Sequence, residues 1–253
     1  MPEGPEISYM TYLFNKNFKN STLKHIHILG GRYNRHNHPL NLDKLNKSLP
    51  SKIEQLANKG KFIYLKLKDN YIVGIKLNYA HLVDHDGKHS NIQFETSKGS
   101  FYIEDLRNFG KITILNNEEL NKTLQKIGPD LIHAKVSFKE YEEIMNKHPN
   151  IKIGQFLIEQ KYFSGVGNYI RAEVCYEAKI SPYKLIKNMN IEEKKELFIQ
   201  LIKVINKAYK LLFKGKKYPL KVYKQKMTPS GEKVVAERLE ANRNIYWVPS
   251  VQK

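Results

Sequence analysis

The chain has 253 residues, 41% of them apolar, a formal net charge of +18 and a single cysteine, Cys175. That length is enough for one large or two modest domains, and one cysteine excludes an intramolecular disulfide and any multi-cysteine metal site. No run of about 18 apolar residues is present to cross a membrane, and no basic-then-apolar leader is expected. The surplus of 43 Lys and Arg over 25 Asp and Glu points to a polyanion, nucleic acid before an acidic membrane surface. An intracellular, reducing location fits the cysteine usage.

The first predicted element is a helix that starts close to residue 1, because Ile7, Met10, Phe14 and Phe18 recur at helical spacing. Strand-like runs follow over 24–29, 62–67, 71–77, 91–95, 101–103 and 111–115. Turn clusters such as Lys68-Asp69-Asn70 and Asp86-Gly87-Lys88 separate them, which predicts an antiparallel sandwich or barrel. From Asn116 the pattern is helical, over 118–126, 138–147, 151–160, 169–178 and 191–212. In the last of these Leu197, Leu201, Val204, Ala208 and Leu211 form a core stripe. Ile127-Gly128-Pro129-Asp130 reads as a hinge, and strand-like pattern returns after Lys221. The expected architecture is α+β in two domains: an N-terminal helix with an antiparallel β-sandwich (1–126), and a helical domain (127–220) followed by a β-hairpin (221–253).

Several short stretches carry chemistry. In Met1-Pro2-Glu3-Gly4-Pro5-Glu6, removal of Met1 would leave Pro2 as a secondary amine, partly unprotonated at a pKa of roughly 7.7–8.0. Such an amine forms a cationic iminium with a sugar aldehyde, and Glu3 beside it can carry protons. The same residues also suit the opening of a helix, with Pro in the first turn and acids at its positive end. Lys61, in Gly60-Lys61-Phe62, opens a strand or coats a sheet edge. Arg107-Asn108-Phe109-Gly110 is either a plain turn or a wedge that enters a duplex beside an extruded base. Ser164-Gly165-Val166-Gly167-Asn168 lies between two predicted helices, where Asn168 can meet a phosphate at a helix N-terminus. Arg243 sits among bases near the end, suited to phosphate contact or to solvation.

Taken in order, these segments resemble the formamidopyrimidine-DNA glycosylase / endonuclease VIII family. The opening hexapeptide, Gly60-Lys61-Phe62, Asp105-Leu106-Arg107-Asn108-Phe109-Gly110, Ile127-Gly128-Pro129-Asp130, and Gln160-Lys161 through Asn168-Tyr169 to Glu173 each match a family segment. The resemblance covers nearly the whole chain and implies a helix–two-turn–helix core in the second domain. At the terminus, Arg243 through Gln252 resembles the family's closing hairpin. Val248 and Val251 stand where cysteines would be, and Met227 and Ser230 replace the other pair. None supplies a thiolate, so the family's structural zinc is not expected. A zincless finger is expected instead, with Val248, Val251, Trp247 and Met227 packing where the metal would bond.

The resemblance implies a bifunctional DNA glycosylase and abasic-site lyase of base excision repair that needs neither metal nor cofactor. In it Pro2 is the nucleophile, Glu3 the proton carrier and Lys61 a further catalytic and DNA-contacting residue. Asn168 and Arg243 bind DNA, Glu6 and Glu173 support the site, and Leu77, Phe109 and Arg107 fill the vacated stack. The partner is double-stranded DNA carrying oxidised bases or abasic sites, approached by a monomer, with β- and δ-elimination after base removal. Gly4-Pro5, Asn108, the zincless finger and the short 215–220 segment look closer to endonuclease VIII-like members, so oxidised pyrimidines come first. The other reading is a non-catalytic damaged-DNA or nucleic-acid binding protein of the same fold. Retention of Pro2, Glu3 and Lys61 weighs against it.

Overall fold

A computed structural model describes residues 2–34, 38–240 and 243–253, without the side chains of Asn34, Glu240 and Arg243. It separates into two compact units, one of Pro2 with Glu6–Lys126 and one of Glu3–Pro5 with Ile127–Lys253. In the first unit, α1 (Gly4–Phe18) buries Ile7, Phe14 and Phe18 on one face. Eight antiparallel strands follow: β1 (Thr22–Ile28), β2 (Ser51–Lys59), β3 (Phe62–Leu67), β4 (Ile72–Lys76), β5 (His81–Val83), β6 (Ser90–Thr96), β7 (Gly99–Glu104) and β8 (Lys111–Leu115).

Their order is β5-β7-β6-β1-β2-β3-β4-β8. The β1–β2 seam is held by only two residue pairs, Thr22↔Lys52 and Leu23↔Ser51. At this weak seam the sheet turns over on itself into two four-stranded layers. Leu23, Ile26, Phe94 and Phe101 from one layer meet Ile53, Ile63, Leu65, Val73 and Ile75 from the other in a single core that also takes Phe14 and Phe18. The predicted sandwich is present. Burial alternates along β3, β6 and β8, as half-buried strands require.

Strand β2, the three-residue strand β5 and the short helix α2 (Leu42–Ser48) escaped the sequence pattern. In β2 a register shift between Ile53 and Gln55 leaves its inward residues Ile53 and Leu56 three apart, so the two-residue alternation that marks a strand is broken. The unit closes with α3 (Asn117–Gln125), which starts on a reciprocal capping box between Asn116 and Glu119.

In the second unit, α4 (Phe138–Asn146), α5 (Ile153–Ile158), α6 (Asn168–Glu177) and α7 (Ile191–Leu212) pack around Tyr141, Met145, Phe156, Ile170, Val174, Leu197 and Leu201. Ser137 with Glu140 and Asn190 with Glu193 cap α4 and α7 reciprocally. The helix expected over 151–160 is shorter. Gln160 is drawn out of it, because its amide donates to the carbonyls of Ile158 and Val166 (2.7 and 2.8 Å) and accepts from Gly165 N (3.0 Å).

The chain ends in the hairpin β9 (Val235–Glu240) and β10 (Arg243–Trp247). Val222, Val234, Leu239, Ile245 and Val248 form a separate small core against Ala172, with Trp247 and Val251 half-buried at its edge. Met227 is 58% exposed and takes no part, contrary to the expected packing. Its short bridge to Lys233 leaves its side chain in solvent. Polar clamps hold the hairpin instead. Glu237 accepts from Tyr183 Oη (2.9 Å) and Trp247 Nε1 (3.1 Å), and the buried Gln252 amide accepts from Val248 N (2.6 Å) and donates to Ile180 O (3.0 Å). Val248, Val251, Met227 and Ser230 carry no donor set that fits a zinc ion.

Candidate active site and nucleic-acid interface

In the second unit the start of the chain is fastened to the start of α6. Glu3 is 2% exposed. One carboxylate oxygen accepts from the backbone N–H of Gly167 (2.7 Å) and Ile170 (3.3 Å), the other from that of Tyr169 (2.9 Å). The N-cap Gly167 offers no side chain of its own, so Glu3, more than 160 residues away in sequence, supplies the cap. A carboxylate here answers both the orphan donors and the positive end of the helix dipole.

Gly4 extends this contact, donating its N–H to Gly165 O at 2.8 Å. A Cβ on Gly4 would lie 2.9 Å from Gly165 Cα and 3.1 Å from its carbonyl oxygen, so only glycine permits this approach. Gly165 itself has φ of 102°, a left-handed conformation that other residues rarely adopt. The Glu3-Gly4 pair and the Gly165–Gly167 loop thus fit as one surface.

Asn168, half-buried at the first position of α6, is oriented by Arg171. That arginine is 0% exposed and donates to Asn168 Oδ1 (3.2 Å), Gly154 O (3.0 Å) and Asn244 O (3.3 Å). One buried guanidinium therefore joins α5, α6 and β10 beside Arg243, whose own side chain lies outside the described residues. Sequence reasoning passed over Arg171. Its only signal was an arginine three residues after Asn168, at helical spacing, between the apolar Ile170 and Ala172.

Glu173 serves a different place. It is fully buried and accepts the N–H groups of Lys221 (2.9 Å), Val222 (3.0 Å) and Tyr223 (2.9 Å), which ties the strap entering the hairpin to α6. Burial pushes its carboxyl above the usual range against the opposing pull of those three donors. Burial likewise pushes the Cys175 thiol up to about 12, which removes it as a nucleophile.

In the first unit Pro2 is buried and Glu6 half-buried in the first turn of α1. Lys61 is half-buried in the two-residue turn joining β2 to β3. Gly60 before it has φ of 56°, as tight hairpin turns demand. Asn58 ties this turn to α1, donating to Gly60 O and to Ser8 Oγ, both at 3.1 Å.

Residues 105–110 form a loop shaped from within. Asp105 accepts the N–H of Gly110 (2.5 Å) and of Arg107 (3.2 Å). Asn91 donates to Asp105 O (2.9 Å) and Asn108 Oδ1 (2.8 Å). Arg107 and Phe109 project outward onto one partner. The Arg107 guanidinium lies 4.4 Å from the Tyr79 ring centroid, and Phe109, 53% exposed, has its ring 5.9 Å from that of Tyr79. Asn78 Nδ2 joins the two loops by donating to Phe109 O at 2.7 Å.

Leu77, expected with them, is 1% exposed inside the sandwich core and cannot fill a vacated base stack. The residue in reach is Tyr79, two further on and 39% exposed. The strand parity that turns Leu77 inward turns residue 79 the same way only while the strand lasts, and β4 ends at Lys76. Asn78, at φ of 53°, redirects the chain.

A family model for the N-terminal domain of formamidopyrimidine-DNA glycosylase matches residues 1–112, and one for the H2TH domain of the same enzymes matches residues 127–217. The chain belongs to the formamidopyrimidine-DNA glycosylase / endonuclease VIII family of DNA-repair glycosylases. An endonuclease 8-like protein of Acanthamoeba polyphaga mimivirus is 25% identical over the full length of both chains. A formamidopyrimidine-DNA glycosylase of Arabidopsis thaliana is 26% identical over 87% of this chain, which spans 61% of that relative. One from Oceanobacillus iheyensis is 25% identical over 83% of this chain and 77% of its own. Among solved structures, MutM in complex with DNA containing carbocyclic 8-oxo-G superposes with a TM-score of 0.85 at 24% identity over 100% of both chains. Lactococcus lactis Fpg in complex with abasic-site DNA gives 0.84 at 22% over 99% of both. These likenesses show a shared fold.

Proposed function

We propose that this protein is a bifunctional DNA glycosylase and abasic-site lyase acting inside the cell as a monomer, with Pro2 as its nucleophile. The observation that carries the reading is the fastening of Glu3 to Gly167, Tyr169 and Ile170. A chain terminus is ordinarily loose, whereas here the residue next to Pro2 is fixed by three charge-assisted hydrogen bonds. Fixing the terminus in this way orients an amine for attack and removes its conformational entropy beforehand.

Removal of Met1 exposes the Pro2 nitrogen. It attacks C1′ of the damaged nucleotide, the bond from C1′ to the base breaks, and the base leaves with a proton. Glu3 takes the proton that the Pro2 nitrogen releases and passes it to the sugar ring oxygen as the C1′–O4′ bond breaks and the ring opens. The resulting iminium draws electrons from the C2′–H bond. That proton is lost, the 3′ phosphate leaves by β-elimination, and the 5′ phosphate follows by δ-elimination. Lys61, Asn168 and Arg243 hold flanking phosphates, which position the duplex without reading its sequence.

Tyr79, Arg107 and Phe109 occupy the stack from which the nucleotide is extruded, with Tyr79 in the role expected of Leu77. The supporting observation is their joint exposure and their mutual ring contacts. The short 215–220 segment and Asn108 in place of a second arginine favour oxidised pyrimidines as substrates. The deciding experiment is borohydride trapping on a duplex with one abasic site, comparing the intact protein with Pro2→Gly. A covalent adduct that is cut sharply in the variant is expected. DNA binding by a protein with a free Pro2 terminus and no adduct would leave a non-catalytic binding protein of this fold.

A further inference from the structure

Helix α7 changes character partway along. Its first turns mix Glu192, Glu193 and Glu196 with Lys194 and Lys195. Residues 197–231, by contrast, hold nine lysines and no acid, so this segment carries half of the formal net charge while all 25 Asp and Glu lie elsewhere. Lysine-rich composition alone does not explain a stretch from which acids are missing.

Lys203, Lys207, Lys210 and Lys214 recur at steps of four, three and four residues and are all exposed. They line a shallow groove of about 370 Å³ together with Asn206 and Leu211. At 1.5 Å per residue the row is about 16 Å long, close to the rise of about five phosphates on one strand of B-DNA. Among the described residues none of Lys203, Lys210 and Lys214 has an ion-pair partner, and Lys207 lies 5.5 Å from the Tyr218 ring centroid. Lys221, by contrast, is occupied by Glu177 at 2.8 Å. Like charges four apart weaken a helix, and an anion laid along the row reverses that penalty.

We propose that this lysine row is a second nucleic-acid contact, binding the phosphate backbone of undamaged duplex beyond the lesion. The inference rests on DNA being the ligand of this protein. Lysines act as point charges that meet phosphate without a fixed planar fork. The groove has one aliphatic side chain, Leu211, and lacks the aromatic anchors that the core of a protein interface carries, so a polyphosphate fits it better than an acidic protein.

The test uses the full chain with Lys203→Gln, Lys210→Gln and Lys214→Gln combined, and each alone. Affinity for a long undamaged duplex is measured between about 50 and 200 mM salt, where the slope of log K against log salt falls by about 0.9 for each phosphate that is no longer neutralised. The triple variant is expected to flatten the slope by about 2–3 and each single change by about 0.9, with cleavage of an abasic site in a short duplex unchanged. An unaltered slope in the three single variants overturns the proposal. So does loss of polyglutamate binding with DNA binding intact, which would assign the row to an acidic protein. If the unaltered protein forms no borohydride adduct yet shows the lysine-dependent slope, the catalytic reading fails and this contact stands. If it binds no duplex at all, both fail.

Discussion

Arg171 donates a hydrogen bond to Asn168 Oδ1 at 3.2 Å from a position that is itself 0% exposed. The residue expected to meet phosphate is thus aimed by a cation that no solvent reaches, and the same guanidinium holds the backbone of Asn244 on the terminal hairpin. Arg171→Lys keeps the charge but not the fork. It is expected to destabilise the protein by about 3 kcal/mol in denaturant titrations and to weaken DNA binding. Asn168→Ala should weaken binding with the salt slope unchanged, because a neutral amide neutralises no phosphate, and with little change in stability. Equal stability of the Lys variant and the unaltered protein would show that Asn168 is held by something else.

Glu3 is predicted to have a structural and a chemical share that separate by substitution. Glu3→Ala strips the acceptor from three backbone donors and should cost about 2–3 kcal/mol. Hydrogen exchange at Gly167, Tyr169 and Ile170 would rise first. Glu3→Gln, which keeps one carbonyl oxygen, should lose less stability and still lose lyase turnover. Full turnover in the Gln variant would remove Glu3 from proton transfer.

Leu77 and Tyr79 make a matched pair of controls. Leu77→Ala empties a core position and is expected to cost about 2–5 kcal/mol without a change in substrate preference. Tyr79→Ala should leave the melting temperature nearly unchanged and slow base excision more than cleavage at a preformed abasic site, where less must be extruded. Parallel rates on the two substrates would count against Tyr79 in the vacated stack.

Glu173 links stability to pH. Its folded pKa is raised above the ordinary glutamate value of 4.5 by burial, so the folded state binds more protons than the unfolded one in the window above that value. Stability is therefore complete below the unfolded pKa and declines as pH climbs through the folded one. Glu173→Gln should abolish this decline. It should also cost about 1–3 kcal/mol near pH 4, because the Lys221 N–H then faces an amide donor instead of an acceptor. An identical pH slope in both proteins would refute the linkage.

The hairpin should be indifferent to chelators. Trp247 is the single tryptophan and reports directly on it. Its fluorescence melt is expected to be unchanged by EDTA, whereas Trp247→Phe, read by circular dichroism, should lower the transition because the bond to Glu237 is gone. A shift of the melt by EDTA would indicate a metal that Val248 and Val251 cannot hold.

By itself the sequence determined the class of this protein. Local signals were enough, since helical spacing in 191–212, the turn clusters between strands and the order of six short motifs each depend on residues close in the chain. The same locality shows that Val248, Val251, Met227 and Ser230 lack thiolates. It could not show which of them pack, and Met227 proved exposed. Strand β2 was hidden because a bulge breaks the alternation that periodicity detects. Leu77 was misplaced because the facing of a side chain just past a strand end depends on where the strand stops.

Only the tertiary structure decided which distant residues meet. Glu3 caps α6 across more than 160 residues, and Arg171 reaches from α6 to Gly154 and Asn244. Glu173 holds the strap at Lys221–Tyr223, and Tyr79 joins Arg107 to Phe109. Each of these is a polar or aromatic side chain satisfied by a partner brought near by packing. Buried hydrogen-bonding groups must find such partners, yet nothing in their local sequence says which ones.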